Sequence, residues 1–344
     1  MNRFLATSLA AAMIVGVSFS GIAHADSVEM TPQLKDIIAG ANKEGKLTVR
    51  WTNNIFGGPE GAKVAEEAIN RMFGTKISVE WAPGPAYGPL AAMLYQEMQA
   101  GQPATSDIYI ATAVQATPYL QKNLFRTIDW VSIMPSRITP VMVEGEGRAL
   151  RIATNLPGIV YNMKMAPWVA NVQTSADLLK PEAKGHFYTT PFLGGFDVLL
   201  APDVWGVEKT TEYVKKLSTQ VAGLAGCEAT TRIAAGEIPA LAIDCGGGIP
   251  NRVEYRGKGI LANQVMNDMV QKRYNYLSVV THAPHPNAAT LYLLYIMSKE
   301  GQEKMMWDIQ GTDLADFPDS HMKREFDAVE ARGGKPVDVS IAWW

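Results

Sequence analysis

The residues best placed to do chemistry late in the chain are two histidines three positions apart. His282 and His285 lie in the stretch THAPHPNAATLYLLYIMSKEGQ, Thr281–Gln302. Two imidazoles at this spacing could supply half of a metal site, which needs a third and a fourth ligand. The sequence offers none nearby. His285 is followed by Pro286 and Asn287, and Asn caps helices because its side-chain oxygen accepts an orphan backbone N–H. Leu291, Leu294, Tyr295 and Met297 then recur at helical spacing. The stretch therefore reads as a loop entering a helix capped by Asn287, with no metal.

The familiar catalytic spacings are absent too. The chain has no G-x-S-x-G elbow, no H-E-x-x-H and no C-x-x-C. Gly45-Lys46 is followed by Leu47, where a P-loop needs Ser or Thr, and Gly145-Glu146-Gly147 lacks the third glycine of a dinucleotide fingerprint. A secreted hydrolase built on scattered acids, Asp244 among them, is the enzymatic alternative. The reading is of a non-enzyme without cofactor.

The 344 residues are 47% hydrophobic, enough for one large or two medium cores. A net charge of −3 excludes a strong field toward nucleic acid or an anionic membrane. The first residues, MNRFLATSLAAAMIVGVSFSGIAHADS, carry Arg3, an apolar run and then Ala23-His24-Ala25. This pattern predicts a cleavable signal peptide over residues 1–25, cut after Ala25, with a membrane anchor as the alternative. No later segment is apolar enough to span a bilayer. An extracytoplasmic chain keeps disulfides, so Cys227 and Cys245 are expected to pair; two buried free thiols are the alternative.

Strand and helix patterns alternate around these residues. Lys46–Trp51, Ile77–Trp81 and Asp107–Ala111 read as strands, with helices over Pro59–Phe73 and Pro89–Ala100 between them. This βαβαβ order predicts a parallel sheet with helices on both faces. The pattern restarts at Ile159. Strands are expected at Ile159–Tyr161, His186–Thr189 and Leu241–Asp244, and helices at Ala176–Leu179, Glu208–Ser218, Asn287–Met297 and Gly301–Ile309. Two α/β units without a flexible linker imply crossover strands and a cleft between them.

At this point the residues carry a resemblance. Ala283–Gln302 resembles the C-terminal signature of extracellular solute-binding proteins of ABC importers, in the branch that includes ferric-iron, thiamine, polyamine and aminoethylphosphonate binders. Glu44-Gly45-Lys46-Leu47, Asp107–Ala111, Leu156–Pro167, Ser175–Gly185 and Gly236-Glu237-Ile238-Pro239 resemble further family segments, in the family order. The resemblance implies an α/β, two-lobed periplasmic-binding-protein fold of type II, its lobes joined by two crossover strands. Lobe 1 would be 26–152 and 281–344, and lobe 2 would be 153–280. It implies a periplasmic carrier that closes on a small-molecule solute and meets an inner-membrane ABC permease with its ATPase. The carrier would be a monomer, without nucleic acid and without direct membrane insertion. A solute-presenting sensory subunit is a second reading with the same fold.

Ligands of open α/β sheets sit beyond the carboxyl ends of strands. Those ends give Thr52, Asn53 and Asn54; Thr112; Thr154 and Asn155; Thr190, Gly194 and Gly195; and Asp244, Gly246 and Gly247. Tyr87, in the Gly/Pro-rich WAPGPAYG, is the first aromatic expected at the ligand, ahead of Trp51, Trp81, Tyr119, Trp205 and Tyr255. Ferric binders of the family carry adjacent tyrosines after the Gly-Glu-x-Pro turn and an Arg-x-Arg before the crossover. Here those places read IDCGGGIPNRVEY and Asn155-Leu156-Pro157, and Tyr274-Asn275-Tyr276 is the nearest pair. The departures favour a small organic solute, an anionic one included, over iron, which stays the alternative. Arg148, Arg151 and Arg252 are candidate charges for an anion.

Overall fold

The computed structural model describes residues 28–341 except 193 and 203. The expected signal peptide and its cleavage point lie outside the described residues. Three sheets organise the chain, a parallel pair and two larger mixed sheets. The pair shares one buried core with the larger sheet beside it, and the two are together called the first sheet, while the other, the second sheet, has its own core. No helix among the described residues is long and apolar enough to cross a membrane.

The first half follows its local signals. α1 (Pro32–Glu44) begins at Thr31, whose hydroxyl accepts the Leu34 N–H at 3.2 Å, and ends at left-handed Gly45. β1 (Lys46–Trp51) alternates buried and half-buried positions. α2 (Gly58–Phe73) presses so closely on the preceding loop that a Cβ on Gly61 would lie 1.6 Å from the Phe56 carbonyl. β2 (Ser78–Pro83) pairs in parallel with β1. α3 (Tyr87–Gln99), β3 (Ile108–Thr112), α4 (Ala113–Leu120) and α5 (Trp130–Ile133) follow, then β4 (Val143–Glu144) and β5 (Ala149–Asn155).

β6 (Ile159–Asn162) opens the second sheet, continued by β7 (Tyr188–Thr189), α6 (Gly206–Ser218), β8 (Gly223–Leu224), α7 (Thr230–Ala234), β9 (Ala240–Ala242) and β10 (Leu261–Gln264). Its order is β10-β6-β9-β7-β8. The long β11 (Gln271–Val279) then returns to the first sheet, antiparallel to both β3 and β5. α8 (Pro286–Met297), a π-helix (Gly301–Gln310), α9 (His321–Ala331) and β12 (Val337–Val339) complete the chain. A small third cluster of Leu156, Val265, Val270, Trp307, Ala315, Met322, Phe326 and Val329 packs where the chain passes between sheets.

Several local expectations need correction. The expected three-stranded parallel sheet does not form: β1 pairs with β2, while β3 joins the antiparallel β11, which local patterns could not assign. Asn287 is not the cap of α8. His285 stands at the cap position, and the Glu44 carboxylate accepts the N–H groups of Asn287 at 3.1 Å and Ala288 at 2.8 Å. A distant acid thus replaces the local cap, helped by the positive end of the helix dipole. His285 is held by Asp107, which accepts its backbone N–H and pairs with Nδ1, both at 2.9 Å. Ser175–Leu179 is a 3-10 helix rather than an α-helix, capped by Thr174 and Asp177. β9 stops at Ala242 because Ile243 adopts a left-handed φ of 57°.

Candidate ligand-binding cleft

The strand-end residues converge along a line that crosses from one sheet to the other. Thr112 lies opposite Asn275 in the β3–β11 register. The Asn275 side-chain oxygen accepts the Asn155 amide. Asn155 in turn packs on Gly246, where an added Cβ would lie 2.4 Å from the Asn155 Cβ. Gly247 is held at φ 66°, and a Cβ there would strike Asn263 and the Leu156 carbonyl. Only glycine fits at that point.

Asp244 fixes this glycine loop to the crossover. One carboxylate oxygen accepts the Gly158 N–H at 2.9 Å and the other the Gly247 N–H at 2.6 Å. The residue is 2% exposed. Burial pushes its carboxyl up to about 6, and the backbone donors of Gly158, Gly247 and Gly246 and the Arg273 charge oppose the shift. The Cys227–Cys245 disulfide, with Cα atoms 5.9 Å apart, ties the same loop to the segment before α7. The expected pairing is present.

The loop after β7 is tied to the other sheet. The Thr190 hydroxyl donates to the Phe192 carbonyl at 2.9 Å. Arg273, on β11, donates to the Gly194 carbonyl and to the Asp197 carboxylate at 2.8 Å. Gln271 donates to the Gly195 carbonyl. Burial pushes the Asp197 carboxyl up, and Arg273 pulls it back. A Cβ on Gly194 would lie 3.5 Å from the Cys245 Sγ, so this loop sits beside the disulfide and the Asp244 loop.

On the first sheet, Thr52 donates to the Asn54 side chain at 2.6 Å, and Asn53 and Asn54 are exposed. Arg252, from the second sheet's side, donates to the Asn54 carbonyl at 3.3 Å. That contact brings the β1 loop and the segment after the glycines face to face.

Other expected residues are placed differently. Thr154 is fully buried, its hydroxyl accepting from Ala315 N–H at 3.0 Å and its carbonyl accepting from the Thr312 hydroxyl at 2.7 Å. It holds the crossover strand to the C-terminal segment. Tyr87 is not in a loop: it opens α3 and packs against the first core, and burial pushes its phenol up to about 12. A proline-rich approach is compatible with a helix start, which the loop reading overlooked. Trp51 packs on Phe56 and Tyr292, and Trp205 on Tyr213. Arg148 serves its own turn, and Arg151 pairs with Glu144 over the Tyr274 ring. Gln271, Arg273 and Asn275 were missed. Their run reads only as an amphipathic strand, and its contacts with Gly194, Gly195 and Asn155 depend on the return of β11 to the first sheet.

Among the described residues, no group of three or more His, Cys, Asp or Glu could hold a metal ion. The Tyr274 hydroxyl donates to Asp338 at 3.1 Å and the Tyr276 hydroxyl to Glu144 at 2.8 Å. Burial drives both phenols well above their ordinary range.

The sequence profile described as bacterial extracellular solute-binding protein matches residues 65–312. Among solved structures, the substrate-binding protein of an ABC transporter from Agrobacterium tumefaciens is similar, with TM-score 0.65, 17% identity, and coverage of 88% of this chain and 90% of that one. Iron-bound HitA from Pseudomonas aeruginosa is similar at TM-score 0.60 and 17% identity, covering 84% and 99%. AfuA from Actinobacillus pleuropneumoniae, with fructose-6-phosphate bound, is similar at TM-score 0.60 and 17% identity, covering 78% and 85%. No curated protein sequence matches the chain.

Proposed function

The chain belongs to the bacterial extracellular solute-binding protein family, and from that membership we propose that it is a periplasmic carrier delivering a small organic solute to an ABC permease and its ATPase. Lobe 1 is residues 26–152 with 281–344, lobe 2 is 153–280, and β11 is the return crossover between them. Residues 1–25 are the cleaved signal, and the carrier works as a monomer. It binds its solute without turning it over.

The observation that carries this reading is the convergence of Thr112, Asn275, Asn155 and Gly246 along one line between the sheets. Thr52, Asn53, Asn54, Thr190, Gly194, Gly195 and Gly247 flank it. Thr154 and Asp244 support it from behind, since their polar groups are engaged within the protein.

An anionic group on the solute fits best. Arg273 and Gln271 hold the carbonyls of Gly194 and Gly195 toward β11. In a trans peptide the following N–H points the opposite way, so the Gly195 and Phe196 N–H groups are turned from β11 and would meet an oxyanion lying on that side. Arg252 adds a positive charge at the cleft. Asp244 is the one acid among the strand-end residues named above, and its oxygens are occupied. Polyamines need carboxylates and iron needs phenolates, so both are disfavoured; HitA binds iron and AfuA a sugar phosphate, on a similar fold.

Native mass spectrometry of protein purified from periplasm, followed by thermal-shift measurements on the stripped sample, tests the reading. A co-purified organic anion that restores stability supports it, by about 2.7 kcal/mol at 100 times its dissociation constant. A co-purified iron atom would overturn the organic assignment. Turnover of the bound compound would overturn the carrier reading.

A further inference from the structure

The segment between the glycine loop and β10 spans the two sheets without belonging to either crossover. Ile249 and Tyr255 pack against the second sheet's cluster of Val160, Ile233, Leu241 and Leu261. The residues between and after them reach the other way. Arg256 pairs with Asp308 at 2.6 Å and lies 5.5 Å over the Trp307 ring. The Val253 N–H donates to the Asp308 carbonyl at 3.4 Å. Arg252 donates to the carbonyls of Asn54 at 3.3 Å and Gln310 at 3.5 Å. Asp308 and Gln310 end the π-helix, whose Met305 and Met306 are buried in the first core. The surfaces meet at Gly248 and Gly311, where a Cβ on Gly311 would lie 2.1 Å from the Gly248 carbonyl.

We propose that residues 248–256 form a latch between the two sheets' units, with Arg256–Asp308 as its ionic catch and Arg252 as its arm at the cleft mouth. The proposal deepens the carrier reading by naming what sets its closure. The contacts suit a catch that opens and closes. Arg256 and Asp308 keep contact with solvent, so parting them leaves neither charge stranded. Asp308 also accepts Lys304 of its own helix at 3.1 Å, and so keeps a partner when Arg256 leaves. The Arg252 bonds are long and go to backbone carbonyls, which water can serve equally. The groups facing the catch are Lys304 and the Trp307 ring, while Glu254 and Tyr255 act on Arg252. A solute that binds the closed form is held more tightly as that form becomes more populated.

The test uses hydrogen exchange and solution scattering on the purified, solute-free protein, so its outcome does not depend on which solute is carried. Arg256→Ala and Asp308→Ala are each expected to speed exchange at 248–256 and 307–311 by roughly two- to fivefold, the size of an exposed pair, and to enlarge the radius of gyration. The double variant should add nothing, and the swap R256D/D308R should restore protection. Circular dichroism and melting check the fold, since Arg256 is exposed and Asp308 is half-buried. Unchanged exchange and scattering in the single variants would overturn the latch. So would additive single effects, or a swap that behaves like the double alanine variant. A carrier reading that fails at the mass spectrometer would leave these readouts unmoved.

Discussion

Gln271 reaches out of the strand that returns to the first sheet and donates to the Gly195 carbonyl in the second sheet's cleft loop. Two residues on, Arg273 does the same for Gly194. Neighbouring peptides of a glycine pair are thus set in one orientation by side chains from the opposite sheet. The cleft loop is shaped by the crossover strand as well as by its own turn.

Replacing Gln271 by Met keeps the volume and removes the donor. The buried Gly195 carbonyl would then lack a partner, which costs about 1–3 kcal/mol. We predict a drop of that size in urea unfolding and a weaker affinity for the co-purified solute. Arg273→Lys should weaken affinity further, because one ammonium cannot serve a carbonyl and a carboxylate in Arg273's planar geometry. A Gln271→Met protein with unchanged affinity would show that the Gly195 peptide does not meet the solute.

The disulfide closes a short loop, with its cysteines 18 positions apart. The chain-entropy argument gives about 3 kcal/mol for a loop of this size. C227S/C245S should lose about that much in denaturant unfolding. The glycine loop it braces should also exchange its amides faster than the rest of the second sheet, in hydrogen exchange followed by mass spectrometry. Uniform loss of protection across both sheets would show that the bridge stabilises the whole protein and not this loop.

Asp244 makes stability depend on pH. Its folded value of about 6 lies above the ordinary 3.8, chiefly through burial. The folded protein therefore holds the proton more tightly than the unfolded chain. The resulting stabilisation is complete below about pH 4 and is lost as pH rises through about 6; a gap of about two units is worth about 3 kcal/mol. The stability of the wild type relative to Asp244→Asn should fall by about that amount between pH 4 and 7, measured by urea unfolding. A difference that is flat with pH would place the titration elsewhere.

Much of this was legible in the sequence, and for specific reasons. Gly74 announces the end of α2 because left-handed caps favour glycine, whereas α1 and its Gly45 cap went unread. Strand ends give Thr112, Asn155 and Gly246, because periodicity and turn residues are local. The unread parts are those set by long-range contact. Glu44 caps α8 from more than two hundred residues away, so Asn287 looked like the cap. Arg273 is 6% exposed, paired with Asp197, and nothing in QKRYNY marks it as spanning two sheets. Tyr87 looked free because prolines flank it, yet the core behind α3 takes its ring.

The tyrosines decide the last prediction. A tyrosine ligates ferric iron as a phenolate, which forms only when the hydroxyl proton leaves. Tyr274 and Tyr276 donate those protons to Asp338 and Glu144. Ionising either phenol would place a second negative charge beside a carboxylate in a buried site, which costs more than the same step in water. Their rings also sit 6.3 Å apart in a T-shaped packing within the first core. We predict that ferric salts added to the stripped protein give no visible charge-transfer band and no thermal shift, while a small organic anion from the co-purified set does shift it. Asn155→Ala should reduce that shift, since Asn155 joins Asn275 to Gly246 along the cleft. A charge-transfer band that survives Y274F/Y276F would place iron on other ligands; one lost in that variant would show that these phenols ionise despite their burial.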